Sequence, residues 1–197
     1  MDWEARKLSK LCKKASEKTG ERVVSVPQHQ DLRVCSGEVF AQHIDPVKPG
    51  SHTGSVLAEA VERSGASGTL LNHSEKRLER EVLEESIERA KDSGLETVVC
   101  AQSPDECREL SRLNPDYIAF EPPELIGGDT SVSEAEPEMI EEAVEESEVD
   151  VLTGAGIKSR EDVAKSIELG TEGVLVASGV VKAENQYEEI LELCKGL

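Results

Sequence analysis

The residues that could do chemistry in this sequence stand where apolar segments end. Glu121 directly follows one apolar segment, and His73 follows another. Two segments of small residues, 153–156 (Thr-Gly-Ala-Gly) and 177–179 (Ala-Ser-Gly), follow the last two apolar segments. A carboxylate can abstract a proton, a neutral imidazole can polarise a carbonyl group, and backbone N–H groups in small-residue turns can bind phosphate. This combination indicates proton abstraction next to a carbonyl group in a small phosphorylated substrate.

The segment after Glu121 has distinctive residues at both ends. Pro122 and Pro123 restrict the backbone at its start, and Gly127 and Gly128 provide a joint at its far end. This pattern predicts that the residues between them move as one rigid lid over the carboxylate. The alternative is an ordinary surface loop with a solvated Glu, because Pro and Gly are common in loops.

His73 stands directly before Ser74, which together with Glu75 predicts the start of a long helix that ends at Asp92. At this position the positive end of the helix dipole and the free backbone N–H groups would keep the imidazole neutral. The alternative is a surface histidine at a helix start. The two small-residue segments also have a simpler interpretation, as tight turns that bind nothing.

The elements that must position these residues alternate between strand and helix. Seven strands are predicted, at residues 22–26, 39–42, 68–72, 95–100, 116–120, 149–152 and 173–177. The chain begins with a helix over its first twenty residues, and Ser55 is predicted to cap the helix that follows the second strand. Strands that are nearly all apolar and alternate with helices predict an α/β fold with a parallel sheet.

A barrel explains this pattern better than a dinucleotide-binding sheet, because no GxGxxG motif follows the first predicted strand. No linker or change in composition divides residues 1–197, so we expect a single domain, a TIM (β/α)8 barrel. A closed barrel of this type needs eight strands, and the one missing from the prediction is the first.

Composition and charge limit the possible partners. The chain has 41 acidic and 22 basic residues, a formal charge of −19, and such a surface repels nucleic acid and anionic lipid. Acidic residues on every predicted helix suit a halophile protein, since salt screens their repulsion; the alternative is an ordinary acidic cytosolic protein. Five cysteines without CxxC spacing favour neither a disulfide framework nor a zinc site. We expect a cytoplasmic protein, because no apolar leader or bilayer-spanning segment is visible.

Four motifs, in one order along the chain, resemble the triosephosphate isomerase family in its short archaeal form. They are residues 72–75 (Asn-His-Ser-Glu), 120–127 (Phe-Glu-Pro-Pro-Glu-Leu-Ile-Gly), 153–157 (Thr-Gly-Ala-Gly-Ile) and 173–179 (Gly-Val-Leu-Val-Ala-Ser-Gly). Residues 40–54 are similar to the same form, so the resemblance covers essentially the whole chain. Triosephosphate isomerase is itself a standard example of tuned acid and base groups, so the roles that follow are implied by the resemblance.

The resemblance implies that the chain interconverts dihydroxyacetone phosphate and D-glyceraldehyde 3-phosphate without a metal or organic cofactor. Glu121 would move the proton between C1 and C2 of the substrate, and neutral His73 would polarise the carbonyl group. The backbone amides that would bind the phosphate are those of Ile126, Gly156, Ala177 and Ser178. The residues that would support His73 are Asn72, Ser74 and Glu75. Residues 122–130 would close as a lid and exclude water from the enediolate.

The resemblance also implies self-association. Residues 43–54 are similar to the loop that reaches across the dimer in this family, where Thr53 would approach the neighbour's active site. Archaeal members are often tetramers, so we expect a homodimer or a homotetramer.

The chain departs from the family at its first strand, which in the family ends in Asn-x-Lys. Here the sequence begins inside the following helix, and none of Lys7, Lys10, Lys13 and Lys14 follows a predicted strand. We expect a truncated gene model, with the missing strand encoded upstream of Met1. The alternatives are a catalytically inactive barrel that acts only through oligomerisation and a different phosphate-binding barrel enzyme that uses Glu121.

Overall fold

The computed structural model describes residues 2–125 and 131–197, which form two compact units, Met1–Val98 and Val99–Leu197. The helices are α1 (Asp2–Thr19), α2 (Ala58–Arg63), α3 (Arg80–Asp92), α4 (Pro104–Ser111), α5 (Val132–Ala135), α6 (Pro137–Glu146), α7 (Arg160–Glu168), α8 (Ser178–Val181) and α9 (Gln186–Cys194). The strands are β1 (Phe40–Ala41), β2 (Gly68–Leu71), β3 (Glu96–Ala101), β4 (Tyr117–Phe120), β5 (Val151–Thr153) and β6 (Gly173–Val174). Strands alternate with helices, which confirms the predicted α/β fold.

In the first unit, α1 packs its apolar side against the short 3-10 helix His29–Val34. Cys12 and Ala15 are buried on this side, and Gly20 ends α1 with a φ of 87°, as the sequence predicted. Helix α1 contains all four lysines that the sequence analysis compared with the family's Asn-x-Lys: Lys7, Lys10, Lys13 and Lys14. All four therefore lie inside a helix, and none stands at the end of a strand among the described residues.

The structure has six strands in its described residues, so the prediction of seven was wrong for residues 22–26. These residues form a single parallel bridge, between Ser25 and Val39. The Ser25 N–H donates to the Glu38 carbonyl at 3.1 Å, and the Phe40 N–H donates to the Ser25 carbonyl at 3.0 Å. The next bond of a parallel ladder would come from residue 27. Because Pro27 has no N–H, the ladder stops there.

Two helices begin later than the sequence predicted. Ser55 does not cap α2, because residues on both sides of the preceding loop pair instead: Asp45 N–H donates to the Val56 carbonyl at 2.9 Å, and Val56 N–H donates to the Asp45 carboxylate at 2.6 Å. Ser74 does not start α3. The Asn72 side-chain oxygen accepts the Leu78 N–H at 3.0 Å and holds residues 73–78 in a turn, so the helix begins at Arg80.

The second unit contains parallel strand pairs β4–β5 and β5–β6. Residues 149–152 and 173–177 were predicted as strands, and the observed strands β5 and β6 are shifted or shorter. Ser178, expected in a turn, begins the short helix α8. At the start of α4 the Ser103 side chain accepts the Glu106 N–H at 3.2 Å, and at the start of α7 Ser159 and Asp162 form a capping box.

In the part of the chain that the structure describes, no helix combines the length and the apolar character needed to cross a membrane.

The close pairing of β1 with β2 requires a glycine at residue 68, which lies opposite Phe40. A Cβ at this position would lie 2.6 Å from two ring carbons of Phe40 and 2.7 Å from the Glu96 carbonyl oxygen. Gly68→Ala should therefore lower the free energy of unfolding by about 1–3 kcal/mol, because the core is overpacked. Gly50→Ala is the matched control, since its nearest neighbouring atom lies 3.7 Å away in the exposed loop. Equal stability of both variants in urea unfolding would contradict this packing.

The buried side chain of His43 should make stability depend on pH. His43 is 5% exposed, and its Nε2 lies 3.0 Å from the Asp45 carboxylate. The pKa of His43 is lowered, chiefly by burial; the Asp45 carboxylate raises it, and Lys76 and His29 lower it. As the pH falls below about 6.5, the unfolded chain therefore binds a proton at this residue before the folded chain does, and stability declines. Urea unfolding between about pH 7.5 and pH 5 should show this decline in the parent protein and a flatter profile in His43→Gln. The same slope in both proteins would contradict it.

Candidate active site

Glu121 is fixed at the end of β4 by backbone bonds to both neighbouring strands. Its N–H donates to the carbonyl of Ala101, the last residue of β3, at 2.8 Å. On the other side, Phe120 lies opposite Thr153 of β5, and the Gly154 N–H donates to the Phe120 carbonyl at 2.9 Å. The residue is buried, with 8% of its surface exposed. The carboxylate therefore leaves the sheet at a backbone position that is held from two sides.

The side chain of Glu121 lies directly against the backbone of Gly154. A Cβ on residue 154 would lie 2.6 Å from Cγ and 2.7 Å from Cδ of Glu121. A Cβ atom does not approach non-bonded carbon atoms this closely, so any side chain at residue 154 would push the carboxyl group away. Gly154 is needed here for close approach of another side chain.

The residues directly after Glu121 are described only as far as Leu125. Pro122 is buried, and Pro123–Leu125 form one turn of 3-10 helix in which the Leu125 N–H donates to the Pro122 carbonyl at 3.1 Å. Ile126, predicted to give an amide to the phosphate, lies outside the described residues. The remainder of the predicted lid, up to Thr130, lies outside them as well.

The turn after β5 adopts a conformation that few residues tolerate. Ala155 has a φ of 71° and Gly156 a φ of 74°, so two successive residues are left-handed. For a residue with a Cβ this costs roughly 1–2 kcal/mol, and such strain is concentrated at functional sites. The Ala155 carbonyl accepts the Val132 N–H at 3.2 Å, which helps to hold the turn.

The turn after β6 packs against the turn after β5. Ala177 is exposed and Ser178 is half-buried at the start of α8. A Cβ on Gly179 would lie 3.3 Å from the Ile157 carbonyl oxygen, so the two backbones are in close contact. Within this unit the structure thus brings together Glu121, Gly156 and Ser178, three of the predicted site residues, at the carboxyl ends of adjacent parallel strands. In α/β proteins, this edge of the sheet is where ligands bind.

His73, in the other unit, has its ring orientation set by a neighbouring amide. Its Nδ1 accepts the Glu75 N–H at 3.2 Å, and 29% of its side chain is exposed. When Nδ1 accepts a hydrogen bond, the proton of the neutral ring lies on Nε2, which can then donate to a substrate. Because α3 begins at Arg80, the predicted helix start at Ser74, and with it the predicted dipole at His73, was wrong.

The residues predicted to support His73 lie in the same turn. Asn72 is buried, has a φ of 61° and accepts the Leu78 N–H, so it determines the path of the backbone after His73. Ser74 is half-buried in the turn. The Glu75 carboxylate lies 3.8 Å from Nδ1 and is 89% exposed, so its backbone amide makes the stronger contact.

Two polar residues near the turn after β5 were missed in the sequence. Asp162 accepts hydrogen bonds from the backbone N–H groups of Lys158 and Ser159, and Ser131 is one of its side-chain partners. The spacing of Ser159 and Asp162 signals a capping box, but nothing in the sequence connects this box to Ser131. Among residues 2–125 and 131–197, no group of three or more His, Cys, Asp or Glu residues could hold a metal ion.

Comparisons with known proteins identify the family. The model of the triosephosphate isomerase family matches residues 3–195. The triosephosphate isomerase of Methanocaldococcus jannaschii is 49% identical over 197 residues, which cover 95% of this chain and 90% of the relative. The enzyme named triosephosphate isomerase in Methanothermus fervidus is 45% identical over 198 residues, covering 96% of this chain and 89% of the relative. That of Archaeoglobus fulgidus is 43% identical with the same coverage. These matches confirm the predicted TIM-barrel class, and the chain belongs to the triosephosphate isomerase family.

Proposed function

We propose that this protein interconverts dihydroxyacetone phosphate and D-glyceraldehyde 3-phosphate, a reaction of glycolysis and gluconeogenesis. The observation that carries the proposal is the position of Glu121. Its carboxyl group lies against the Gly154 backbone at the end of β4, beside two small-residue turns with backbone amides suited to a phosphate. The relatives that match the chain over about nine tenths of their own length carry the name of this enzyme.

Proton transfer through an enediolate follows from these groups. Glu121 takes a proton from C1 of dihydroxyacetone phosphate and returns it to C2, so the carboxylate is regenerated. His73 donates a hydrogen bond from Nε2 to the carbonyl oxygen and moves protons between the two enediolate oxygens. Substrate and product are isomers with the same atoms and electrons, so the proposed proton transfers consume no oxidant or reductant.

The phosphate group would be bound by backbone amides rather than by charged side chains. Gly156, Ala177 and Ser178 would donate these amides in the second unit, together with Ile126. The left-handed conformation at Ala155 and Gly156 redirects the backbone after β5, which supports a turn built for a ligand. Residues 122–130 would act as the lid that excludes water.

We also propose that the protein is a cytoplasmic homo-oligomer that associates through residues 43–54. This loop is closed at its base by the two bonds between Asp45 and Val56, and Arg89 donates to the Val47 carbonyl at 3.3 Å. Arg89 is itself held by Glu59. Thr53, at the far end of the loop, is exposed and could reach a neighbouring subunit. The net charge of −19 supports tolerance of high salt.

Removing the carboxylate tests the proposed function directly. Glu121→Gln keeps the shape of the side chain but cannot accept a proton, so kcat should fall about 10²–10⁴-fold, the usual contribution of a general base. The rate should be measured with both triose phosphates, using the protein with any residues that the natural gene encodes upstream of Met1. Glu172→Gln, at an exposed position before β6, is the control and should keep the parent rate. Full isomerase activity in Glu121→Gln would show that the base has been wrongly assigned.

The contact between Glu121 and Gly154 gives a second test. In Gly154→Ala the new methyl group occupies the position of the carboxyl group, and misplacing a catalytic group by about 1 Å can cost on the order of 10² in rate. We therefore expect a large loss in kcat with a smaller change in KM. Gly173→Ala, on β6, adds a methyl group whose nearest neighbour is 3.4 Å away, and it should remain active. An equal effect of both substitutions on kcat would exclude a specific role for the contact.

A further inference from the structure

The carboxylate of Asp162 connects three parts of the second unit. It accepts the Lys158 N–H at 3.1 Å, the Ser159 N–H at 2.9 Å and the Ser159 hydroxyl at 2.8 Å. The Ser131 hydroxyl is a further side-chain partner. These donors come from the segment that continues the turn after β5 and from the residue directly before α5.

The backbone around this carboxylate is held by a second group of bonds. Ser131 and Ser133 are each 2% exposed, and their hydroxyl oxygens lie 3.1 Å apart. The Ser133 hydroxyl donates to the Asp162 carbonyl at 3.2 Å, and the Val132 N–H donates to the Ala155 carbonyl at 3.2 Å. Residues 131–133 are therefore attached both to the start of α7 and to the left-handed turn after β5.

These contacts exceed what is needed to cap a helix. A capping box requires only the reciprocal bonds between Ser159 and Asp162. The bonds that involve Lys158, Ser131 and Ser133 are additional to these two. Burial raises the pKa of Asp162, but the hydrogen bonds from Ser131, Ser159 and the backbone lower it by more. The pKa therefore lies below its ordinary value. The group is thus a carboxylate at neutral pH, and charged acceptors make the stronger hydrogen bonds.

We propose that Asp162 is a positioning residue that sets the geometry of the phosphate-binding backbone in the proposed isomerase. It does not touch the reacting atoms. By fixing residues 157–159 it determines where the Ile157 carbonyl lies, and Gly179 packs against that carbonyl. A shift at Asp162 would therefore reach the amides of Gly156 on one side and of Ser178 on the other. This inference rests on the proposed function, because it assigns those amides to the substrate phosphate.

The test uses inorganic phosphate as a probe, because phosphate would occupy the proposed anion site but has no C–H proton that Glu121 could abstract. Asp162→Asn removes the negative charge, so the bonds from Lys158 and Ser159 to this side chain are no longer charge-assisted. We expect the inhibition constant of phosphate and KM to rise together by about tenfold, a change that corresponds to the loss of one charge-assisted bond, while kcat changes less. The control is Glu106→Gln, since Glu106 accepts the Gln102 N–H at 2.7 Å at the start of α4. This control should lose similar stability and keep both constants.

A purely structural role would give a different result. In that case Asp162→Asn would lower the free energy of unfolding as Glu106→Gln does and would leave the phosphate inhibition constant unchanged, which would overturn the inference. If Asp162→Asn does not fold, Ser131→Ala removes a single donor and should raise both constants by a smaller factor; unchanged constants in this variant would likewise overturn it. If the parent protein binds phosphate but does not isomerise triose phosphates, the proposed function fails, and phosphate affinity measured by calorimetry still decides the role of Asp162. A parent protein that binds no phosphate overturns both.

Discussion

The contact between the Glu121 carboxyl group and the Gly154 backbone is the constraint on which the rest of the site depends. A buried carboxylate can act as a base only if it stays in one place, and here the place is defined by two strand ends and by the absence of a side chain. The parallel register of Phe120 with Thr153 brings residues 121 and 154 side by side. The sheet therefore determines the position of the Glu121 carboxylate, and the two turns lie beside it.

The turn after β5, beside Glu121, is stabilised by hydrogen bonds from other segments. The left-handed residues Ala155 and Gly156 are unfavourable by themselves, so their conformation must be stabilised by bonds from outside the turn. Val132 provides one such bond, and the carboxylate of Asp162 gathers several others immediately after the turn. The hydrogen bonds around the turn thus offset the unfavourable backbone conformation within it.

The sequence predicted which residues follow the strands better than it predicted the boundaries of helices. Glu121 and Gly156 follow apolar segments that clearly predict strands. Their position at one edge of the sheet then follows from the rule that parallel strands end at the same edge. The predicted start of α3 was wrong because the Asn72 side chain accepts the Leu78 N–H. Helix propensities do not describe such a side-chain bond to the backbone. The bridge at Ser25 replaced a strand because Pro27 ends the ladder. The role of Asp162 was not predicted because its partner Ser131 is distant in sequence, and the two residues meet only in the folded chain.

The most direct test of the account is to follow the reaction of dihydroxyacetone phosphate in D₂O by proton NMR, with the natural gene product. If Glu121 transfers the proton through an enediolate, the protonated carboxyl group can exchange its proton with solvent while the enediolate exists. The glyceraldehyde 3-phosphate that forms should then carry deuterium at C2 in at least part of the product. No conversion, or conversion in which every product molecule retains the original hydrogen at that carbon, would contradict proton transfer by a carboxylate at this site.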